Sequence, residues 1–286
     1  MSDYIICIPS YKRAKLCQEK TLSFLHSNKI PKNRIHVYVA NHEELETYLA
    51  TLNKNYYGKL IQGVIGLKNQ REYIQKSFPE GKPIVFLDDD ISKVDFSLSG
   101  LFKGKSLDFF FKEAFRITKS EEANIWGIYP VYNPFFRKAR PEITTDLRYI
   151  VGAFYGQFNV KGVCSKALQL SMDQKEDVER TILQFIQFGK VIRFNRIGFQ
   201  TKYYNPDGSG LGTFEARLKP MLESSKKLFV RFPEYGYIKT RKNGMTEFVL
   251  RPLKIPISNN KIVCTKTIKN KKVEKKRNKT KKKLIQ

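Results

Sequence analysis

The feature that most constrains the fold is an alternation, over the first ninety residues, of short β-rich runs with amphipathic stretches. Such alternation predicts parallel strands joined by crossover helices. The apolar run at 4–9 ends in a proline, and the stretch at 14–25 that follows it places its apolar residues on one helical face. The pattern predicts strands at 4–9, 35–40, 60–65 and 83–87, and helices at 14–25, 45–52 and 69–78.

Beyond residue 100 the alternation loosens, which predicts an α/β fold with a mixed, mostly parallel sheet flanked by helices. A polar, glycine-rich run at 203–212 has the composition of a mobile loop. We expect one domain over 1–255, followed by a lysine-rich tail at 256–286 that is disordered. The further expected elements are helices at 106–118 and 175–188, and strands at 125–132, 147–155, 157–163 and 191–199.

The chain is strongly basic, with 53 Lys and Arg against 27 Asp and Glu and a formal net charge of +26. Residues 266–286 hold eleven of the basic side chains and one acidic one, so the remainder stays basic without them. This charge favours a polyanionic partner, either nucleic acid or nucleotide phosphates. An A+T-rich genome, which favours lysine codons, is the alternative explanation.

The sharpest chemical signal is the run Ile84-Val85-Phe86-Leu87 followed by Asp88, Asp89 and Asp90. Ligand crevices of open α/β sheets lie at the carboxyl ends of strands. Oxygen ligands there suit Mg²⁺ or Mn²⁺ bridging a diphosphate, with Asp88 and Asp90 facing the same way. A solvated acidic turn is the alternative.

Two further polar segments follow predicted strands and should meet the acidic run at one crevice. Pro9, Ser10, Tyr11 and Arg13 end the first strand, where a phenol could stack on a base and a guanidinium could meet phosphate. Lys68 and Arg71 open the helix after the third strand, a position suited to an anion. A capped turn and a solvated helix face are the respective alternatives.

Asp173, Glu176 and Asp177 stand at the start of the predicted helix at 175–188. Either Glu176 or, by preference, Asp177 could deprotonate an acceptor hydroxyl during direct displacement at an anomeric carbon. Helix capping and dipole stabilisation would also explain acids at this place. The sequence contains no serine nucleophile elbow, Walker loop or dinucleotide fingerprint, which disfavours hydrolases and kinases.

Taken together, the segments IPSYKR, GLKNQREYI, IVFLDDDI and KEDVERT resemble GT-A glycosyltransferases with their DXD motif. Their order is most similar to the TET/JBP-associated glycosyltransferases of phages, large DNA viruses and kinetoplastids, which include the base J glucosyltransferase. The resemblance implies inverting transfer of glucose from UDP-glucose, with Mn²⁺ or Mg²⁺, to hydroxymethylated pyrimidines in DNA. It assigns Pro9, Tyr11 and Arg13 to the nucleotide, Arg71 to donor positioning, Asp88 and Asp90 to donor and metal, and Asp177 to base catalysis, with Asp89 and Glu176 as interchangeable neighbours; Ser10 and Lys68 join the donor site.

Three other functions remain open. A GT-A enzyme could act on a glycan, protein or lipid acceptor, and a non-enzymatic nucleic-acid-binding protein would explain the charge without the carboxylates. A nucleotidyltransferase ranks last, because the glycine-rich phosphate loop expected near its N-terminus is missing. Cys7, Cys17, Cys164 and Cys264 are too scattered for a zinc site or a disulfide framework, and no apolar stretch is long enough for a membrane span. We therefore expect a soluble, intracellular protein without a membrane partner, and the resemblance to TET/JBP-associated glycosyltransferases implies a phage or large DNA virus as its source.

Overall fold

A computed structural model describes residues 3–201 and 213–257. Within them, nine strands form one mixed sheet in the order β3-β2-β1-β4-β8-β6-β9-β5, with β7 paired to β9, and two further strands form a hairpin. β1 to β4 run parallel, whereas β8 is antiparallel to both of its neighbours. The strands are β1 Ile5–Pro9, β2 Ile35–Val39, β3 Lys59–Gln62, β4 Pro83–Leu87, β5 Lys93–Asp95, β6 Ile125–Tyr129, β7 Ile143–Thr144, β8 Phe154–Phe158, β9 Ile192–Gln200, β10 Gly236–Thr240 and β11 Thr246–Leu250.

Helices flank the sheet, and several begin or end where the sequence supplies a cap. Asn41 Oδ1 accepts from the amide of Glu44 at the start of α3, and Ser106 Oγ does so for Phe109 at the start of α5. Gly189 ends α7 in the left-handed conformation. The helices are α1 Ala14–Cys17, α2 Ser23–Ser27, α3 His42–Thr51, α4 Leu67–Lys76, α5 Leu107–Ser120, α6 Gly162–Ala167, α7 Glu176–Phe188 and α8 Phe214–Arg231, with a π-helical segment, Gln18–Leu22, joining α1 to α2.

The core lies on both faces of the sheet because successive strand residues point to opposite sides. In β1, Ile6 and Ile8 pack in one cluster, which includes Trp126, while Cys7 packs in the other. β4 divides in the same way, and all five of its residues are buried. Because β1 and β4 are buried on both faces, each strand ends where the sequence becomes polar. The polar segments that follow therefore leave the sheet at the carboxyl ends of these two strands.

The fold class predicted from the sequence is confirmed, and the strand at 83–87 has the predicted bounds. The expectation of separate strands at 147–155 and 157–163 is wrong, since one strand covers Phe154–Phe158 and Gly162–Ala167 is helical. Leu147 and Ile150 are buried by packing on the sheet without joining it, which periodicity cannot distinguish from a strand. β5, β7, α8, β10 and β11 were not anticipated. The expected loop at 203–212 and nearly all of the expected tail lie outside the described residues.

Two other sequence expectations have structural outcomes. Cys7 and Cys17 are buried free thiols, but Cys164 is disulfide-bonded, so the expectation of thiols throughout is wrong at that residue. Among the described residues, every helix is too short or too polar to cross a membrane.

Candidate active site

A cavity of about 1010 Å³ opens where β1 and β4 end. Its walls come from the segments after these strands, from the start of α4, from 147–153 and from the start of α7. The β10–β11 hairpin and α8 close one side, contributing Phe248 and Met221 among others. The predicted site residues on this wall are Pro9, Ser10, Tyr11, Arg13, Arg71, Asp88, Asp89, Asp90, Glu176 and Asp177, whereas Lys68 lies on α4 outside the lining.

The acidic run after β4 is held to the segment after β1 by Arg13. Its guanidinium lies 2.9 Å from Asp89 Oδ1 and 2.7 Å from Asp90 Oδ2. Ser10 Oγ donates to Asp89 Oδ2 and also lies 2.6 Å from the Tyr48 hydroxyl. Arg13 is therefore committed to carboxylates within the protein, where the sequence interpretation had assigned it to a phosphate.

The turn that carries the three aspartates is fixed by hydroxyl groups on both sides. Thr21 Oγ1 donates to the carbonyl of Asp88 at 2.7 Å and accepts from the amide of Ile91 at 2.8 Å. Thr201 Oγ1 donates to Asp90 Oδ1. These hydrogen bonds orient the carboxylates before any ligand binds, and neither threonine stands in a motif that the sequence reveals.

Arg71 is the centre of a second ion-pair network and is only 2% exposed. It pairs with Asp88 Oδ1 at 3.2 Å, donates to the carbonyl of Gly152 at 2.8 Å and pairs with Glu176 Oε1. Arg180 takes the other oxygen of Glu176 at 2.5 Å and stacks its guanidinium 4.0 Å from the ring centroid of Tyr155. Since both oxygens of Glu176 are held by buried arginines, Glu176 serves to position Arg71.

Asp177 has different surroundings from its neighbour Glu176. It is half-buried on the cavity wall, where its Oδ2 accepts from the Tyr149 hydroxyl and from the amide of Gly152 at 3.2 Å. A Cβ at Gly152 would come within 3.1 Å of Glu176 Oε1 and 3.2 Å of Arg71 Nη1. Gly152 thus lets the backbone approach closely enough to orient both Asp177 and the Arg71 network.

The carboxylates after β4 are electrostatically crowded. Burial raises the pKa of Asp88 to about 6 and that of Asp89 to about 7; Arg71 and Arg13 oppose these shifts, while Asp90 adds to both. A cation at this place would relieve the repulsion. The Asp88 side chain is 34% exposed, and its Oδ2 has no hydrogen-bond partner among the described residues.

The donor set fits a hard divalent cation in part. The residues described by the structure contain no group of three or more His, Cys, Asp or Glu side chains that could hold a metal. Mg²⁺ and similar ions are commonly bound by one or two carboxylates together with substrate phosphates. Asp88 and Asp90 could therefore complete such a shell only with a phosphorylated ligand.

No family model and no curated protein matches the sequence. The structure is similar to a mannosyltransferase from Pyrobaculum calidifontis solved with GDP-Man and Mn²⁺, with a TM-score of 0.52, 13% identity, and coverage of 81% of this chain and 64% of that one. It is similar to GalNAc-T7 solved with UDP, GalNAc and Mn²⁺, with a TM-score of 0.52, 13% identity, and coverage of 81% and 49%. S. aureus TarS 1-349 aligns with a TM-score of 0.45, 15% identity, and coverage of 80% and 66%.

The likenesses to the mannosyltransferase and to GalNAc-T7 show the fold: the chain has the GT-A, Rossmann-like architecture. The chain spans less than two thirds of the length of each of the three proteins named. The predicted GT-A superfamily resemblance is thereby supported at the level of fold, and the TET/JBP subfamily stays a prediction.

Proposed function

We propose that this chain is a metal-dependent, inverting glycosyltransferase that takes a sugar from a nucleotide diphosphate donor. The observation that carries the proposal is the meeting of two kinds of carboxylate on one cavity wall. Asp88, Asp89 and Asp90 form a crowded set suited to a cation, whereas Asp177 is oriented by Tyr149 and Gly152 and remains accessible. A direct displacement needs both kinds of carboxylate, because the charge of the leaving diphosphate must be neutralised while the acceptor hydroxyl is deprotonated.

The roles of the residues follow from their contacts. Asp88 and Asp90 would hold Mn²⁺ or Mg²⁺, which supplies charge neutralisation of the leaving diphosphate. Asp177 accepts the proton of the acceptor hydroxyl at Oδ1 or Oδ2 as that oxygen attacks the anomeric carbon. Tyr11, 38% exposed at the cavity, offers its ring to the nucleobase, and Pro9, Ser10 and Asp89 shape the donor site beside it.

We further propose glucose from UDP-glucose as the donated sugar and hydroxymethylated pyrimidines in DNA as the acceptor. The support is the sequence resemblance to TET/JBP-associated glycosyltransferases, together with a charge that stays positive when residues 266–286 are set aside. A base inside a duplex cannot reach the cavity, so the target nucleotide must be flipped out of the stack. The proposed unit is one domain over 1–255 with a basic tail at 256–286, acting inside the cell.

The deciding experiment measures transfer of labelled glucose from UDP-glucose with Mn²⁺ onto DNA that contains 5-hydroxymethyluracil or 5-hydroxymethylcytosine. Unmodified DNA and the variant Asp90→Asn, with its fold checked by circular dichroism, serve as controls. We expect label on modified DNA only, and none with the variant. Metal-dependent release of UDP without label on DNA would keep the transferase and replace the acceptor with a glycan, protein or lipid. Salt-sensitive DNA binding without reaction of any donor would instead indicate a binding protein.

A further inference from the structure

Among the further arginines that line the cavity, three lie together on one part of its wall. Arg140 and Arg193 place their guanidinium carbons 4.9 Å and 5.2 Å from the ring centroid of Tyr129, and Arg148 lies close enough to act on Arg193 electrostatically. We call Arg140, Arg148 and Arg193 the arginine cluster. All three, and Tyr129 itself, are on the wall of the same cavity as Asp177.

The arginine cluster contains more positive charge than the neighbouring side chains neutralise. Arg148 Nε pairs with Asp146 at 2.9 Å, but Arg140 and Arg193 form no ion pair within 3–201 and 213–257. These two arginines donate through Nε to Phe136 O and Asn195 Oδ1, and Arg193 Nη1 makes a long hydrogen bond to a carbonyl. Three guanidiniums facing one carboxylate leave donor atoms and an excess of charge for an anion.

The arginine cluster differs from arginines on an open surface because one of its members is buried. Arg193 is only 7% exposed, and burial followed by repulsion from Arg148 lowers its pKa to about 10. Holding like charges together out of water costs free energy, and a bound anion removes that cost. Two other cations of the cavity have carboxylates close by: Arg241 pairs with Glu247 at 2.7 Å, and the carboxylates of Asp177 and Glu247 act electrostatically on Lys175.

Tyr149 places the arginine cluster on the acceptor side of the site. Its carbonyl accepts from Arg193 Nη1 at 3.5 Å, while its hydroxyl donates to Asp177. The base must touch the acceptor hydroxyl, so an anion held by the arginine cluster lies about one tyrosine side chain from the reacting oxygen. Elsewhere on the cavity wall the arginines are paired with carboxylates, Arg71 with Asp88 and Arg13 with Asp90.

The segment that carries Arg140 also presents aromatic rings. Phe135 and Phe136 are 66% and 50% exposed and pack edge to face. Between them and Arg140 lies Arg137, fully buried, which donates to Tyr132 O and Arg196 O at 2.7 Å each and pairs with Asp95. A segment anchored so firmly and tipped with exposed rings offers a surface on which bases stack.

We propose that the arginine cluster is a phosphate subsite which holds a backbone phosphate of a nucleic-acid acceptor strand next to the target nucleotide. The proposal rests on the proposed function and adds the residues that place the acceptor. The exposed rings of Phe135 and Phe136 favour a strand over a small phosphorylated acceptor, since a small molecule would have no use for them.

The test compares binding of a native single-stranded oligonucleotide that contains one hydroxymethylated pyrimidine with binding of neutral versions of the same strand. In each neutral version a methylphosphonate replaces one of the phosphates beside that nucleotide. We expect the wild-type protein to bind the native strand about 10-fold more tightly than one of the neutral strands. The variant Arg140→Gln/Arg148→Gln should bind both alike, with a salt slope reduced by about 0.7 for each phosphate that it no longer neutralises.

The matched control is Lys103→Gln/Lys119→Gln, which removes two exposed positive charges outside the cavity lining and should keep the preference. The proposal fails if the arginine variant keeps both the preference and the salt slope of the wild type. Arginine-dependent transfer to a phosphorylated sugar, with oligonucleotide binding unaffected, would assign the subsite to a small acceptor and overturn the strand. Because binding needs no donor, absence of sugar transfer would refute the proposed function and leave this test intact.

Discussion

The two halves of the cavity treat their arginines in opposite ways. On the side proposed to bind the donor, called the donor side, Arg13 and Arg71 are each paired with two carboxylates. On the side proposed to bind the acceptor, called the acceptor side, Arg140 and Arg193 are paired with none among the described residues. Arg71 and Arg193 are both buried, with 2% and 7% of their surface exposed, so the difference between these two does not arise from exposure. Charges balanced within the protein fix geometry, whereas unbalanced charges in a cavity are available to a ligand.

The donor side is consequently rigid before a donor arrives. Arg71 touches Asp88, Glu176 and the carbonyl of Gly152, so it joins the end of β4, the start of α7 and the segment before β8. Preorganised groups need little rearrangement at the moment of reaction. On the acceptor side, Arg140 and Arg193 have no such ion pairs among the described residues. This fits a partner that supplies the negative charge.

The largest expected effect concerns Asp177, which lies where the two halves meet. Asp177→Asn keeps the shape of the side chain and removes its ability to accept a proton, so we expect the rate of sugar transfer to fall by about 10³-fold. UDP affinity and thermal stability should stay as in the wild type. The matched control, Glu223→Gln, removes an exposed carboxylate of α8 and should transfer normally. Near-normal transfer by the Asp177 variant would remove it from the role of base.

The next effect tests whether the donor side is structural as well as functional. Glu176→Gln takes one charge from two buried arginines, Arg71 and Arg180, and breaking a buried pair in this way costs about 3 kcal/mol of unfolding free energy. Chemical denaturation measures it. An unchanged free energy of unfolding would mean that these pairs contribute no net stability. The paired and unpaired arginines of the two halves would then not differ in what they contribute to stability.

The sequence predicted more of the donor side than of the acceptor side, for a physical reason. Asp88, Asp89 and Asp90 follow a wholly apolar strand, so their place at a strand end could be inferred from local order alone. The arginine cluster is assembled from separate segments that only the fold brings together. The spacing of Arg140, Arg148 and Arg193 in the sequence therefore does not predict it. Tyr149 and Gly152 were not identified because the segment containing them was assigned to a strand.

For some predicted site residues the structure adds contacts that the sequence did not suggest. Arg13 was expected to meet phosphate, which stays a prediction, and within the protein it pairs with Asp89 and Asp90. Glu176 and Asp177 are adjacent in sequence and could not be separated there. In the first turn of α7 both oxygens of Glu176 are held by Arg71 and Arg180, whereas Asp177 contacts Tyr149 and Gly152, and only the folded structure distinguishes the two.

His36 extends the comparison to a buried basic group that has no carboxylate partner within 3–201 and 213–257. Burial, with added repulsion from Lys59 and Lys82, lowers its pKa to about 4 from 6.5. The unfolded chain therefore takes up a proton first as pH falls, so stability is lost between pH 6.5 and 4. At pH 5 the loss attributable to His36 is about 2 kcal/mol relative to pH 8. Denaturation of wild type and His36→Gln at both pH values isolates it, and equal losses in the two proteins would contradict the assignment.

The smallest expected effect is the most direct test of the contrast. If Arg140 is reserved for a ligand, Arg140→Gln removes a charge without an ion-pair partner among the described residues. Only its contact with the Tyr129 ring and its hydrogen bond to Phe136 O are lost, so the free energy of unfolding should fall by about 1 kcal/mol or less. Relief of the repulsion between Arg140 and Arg193, which contact the same ring, opposes this loss of unfolding free energy. Measured beside Glu176→Gln, the variant compares a charge balanced within the protein with one left for a partner. A loss of unfolding free energy as large as that of Glu176→Gln would show that Arg140 stabilises the fold. The arginines of both halves would then be structural, and Arg140 would not be reserved for a ligand.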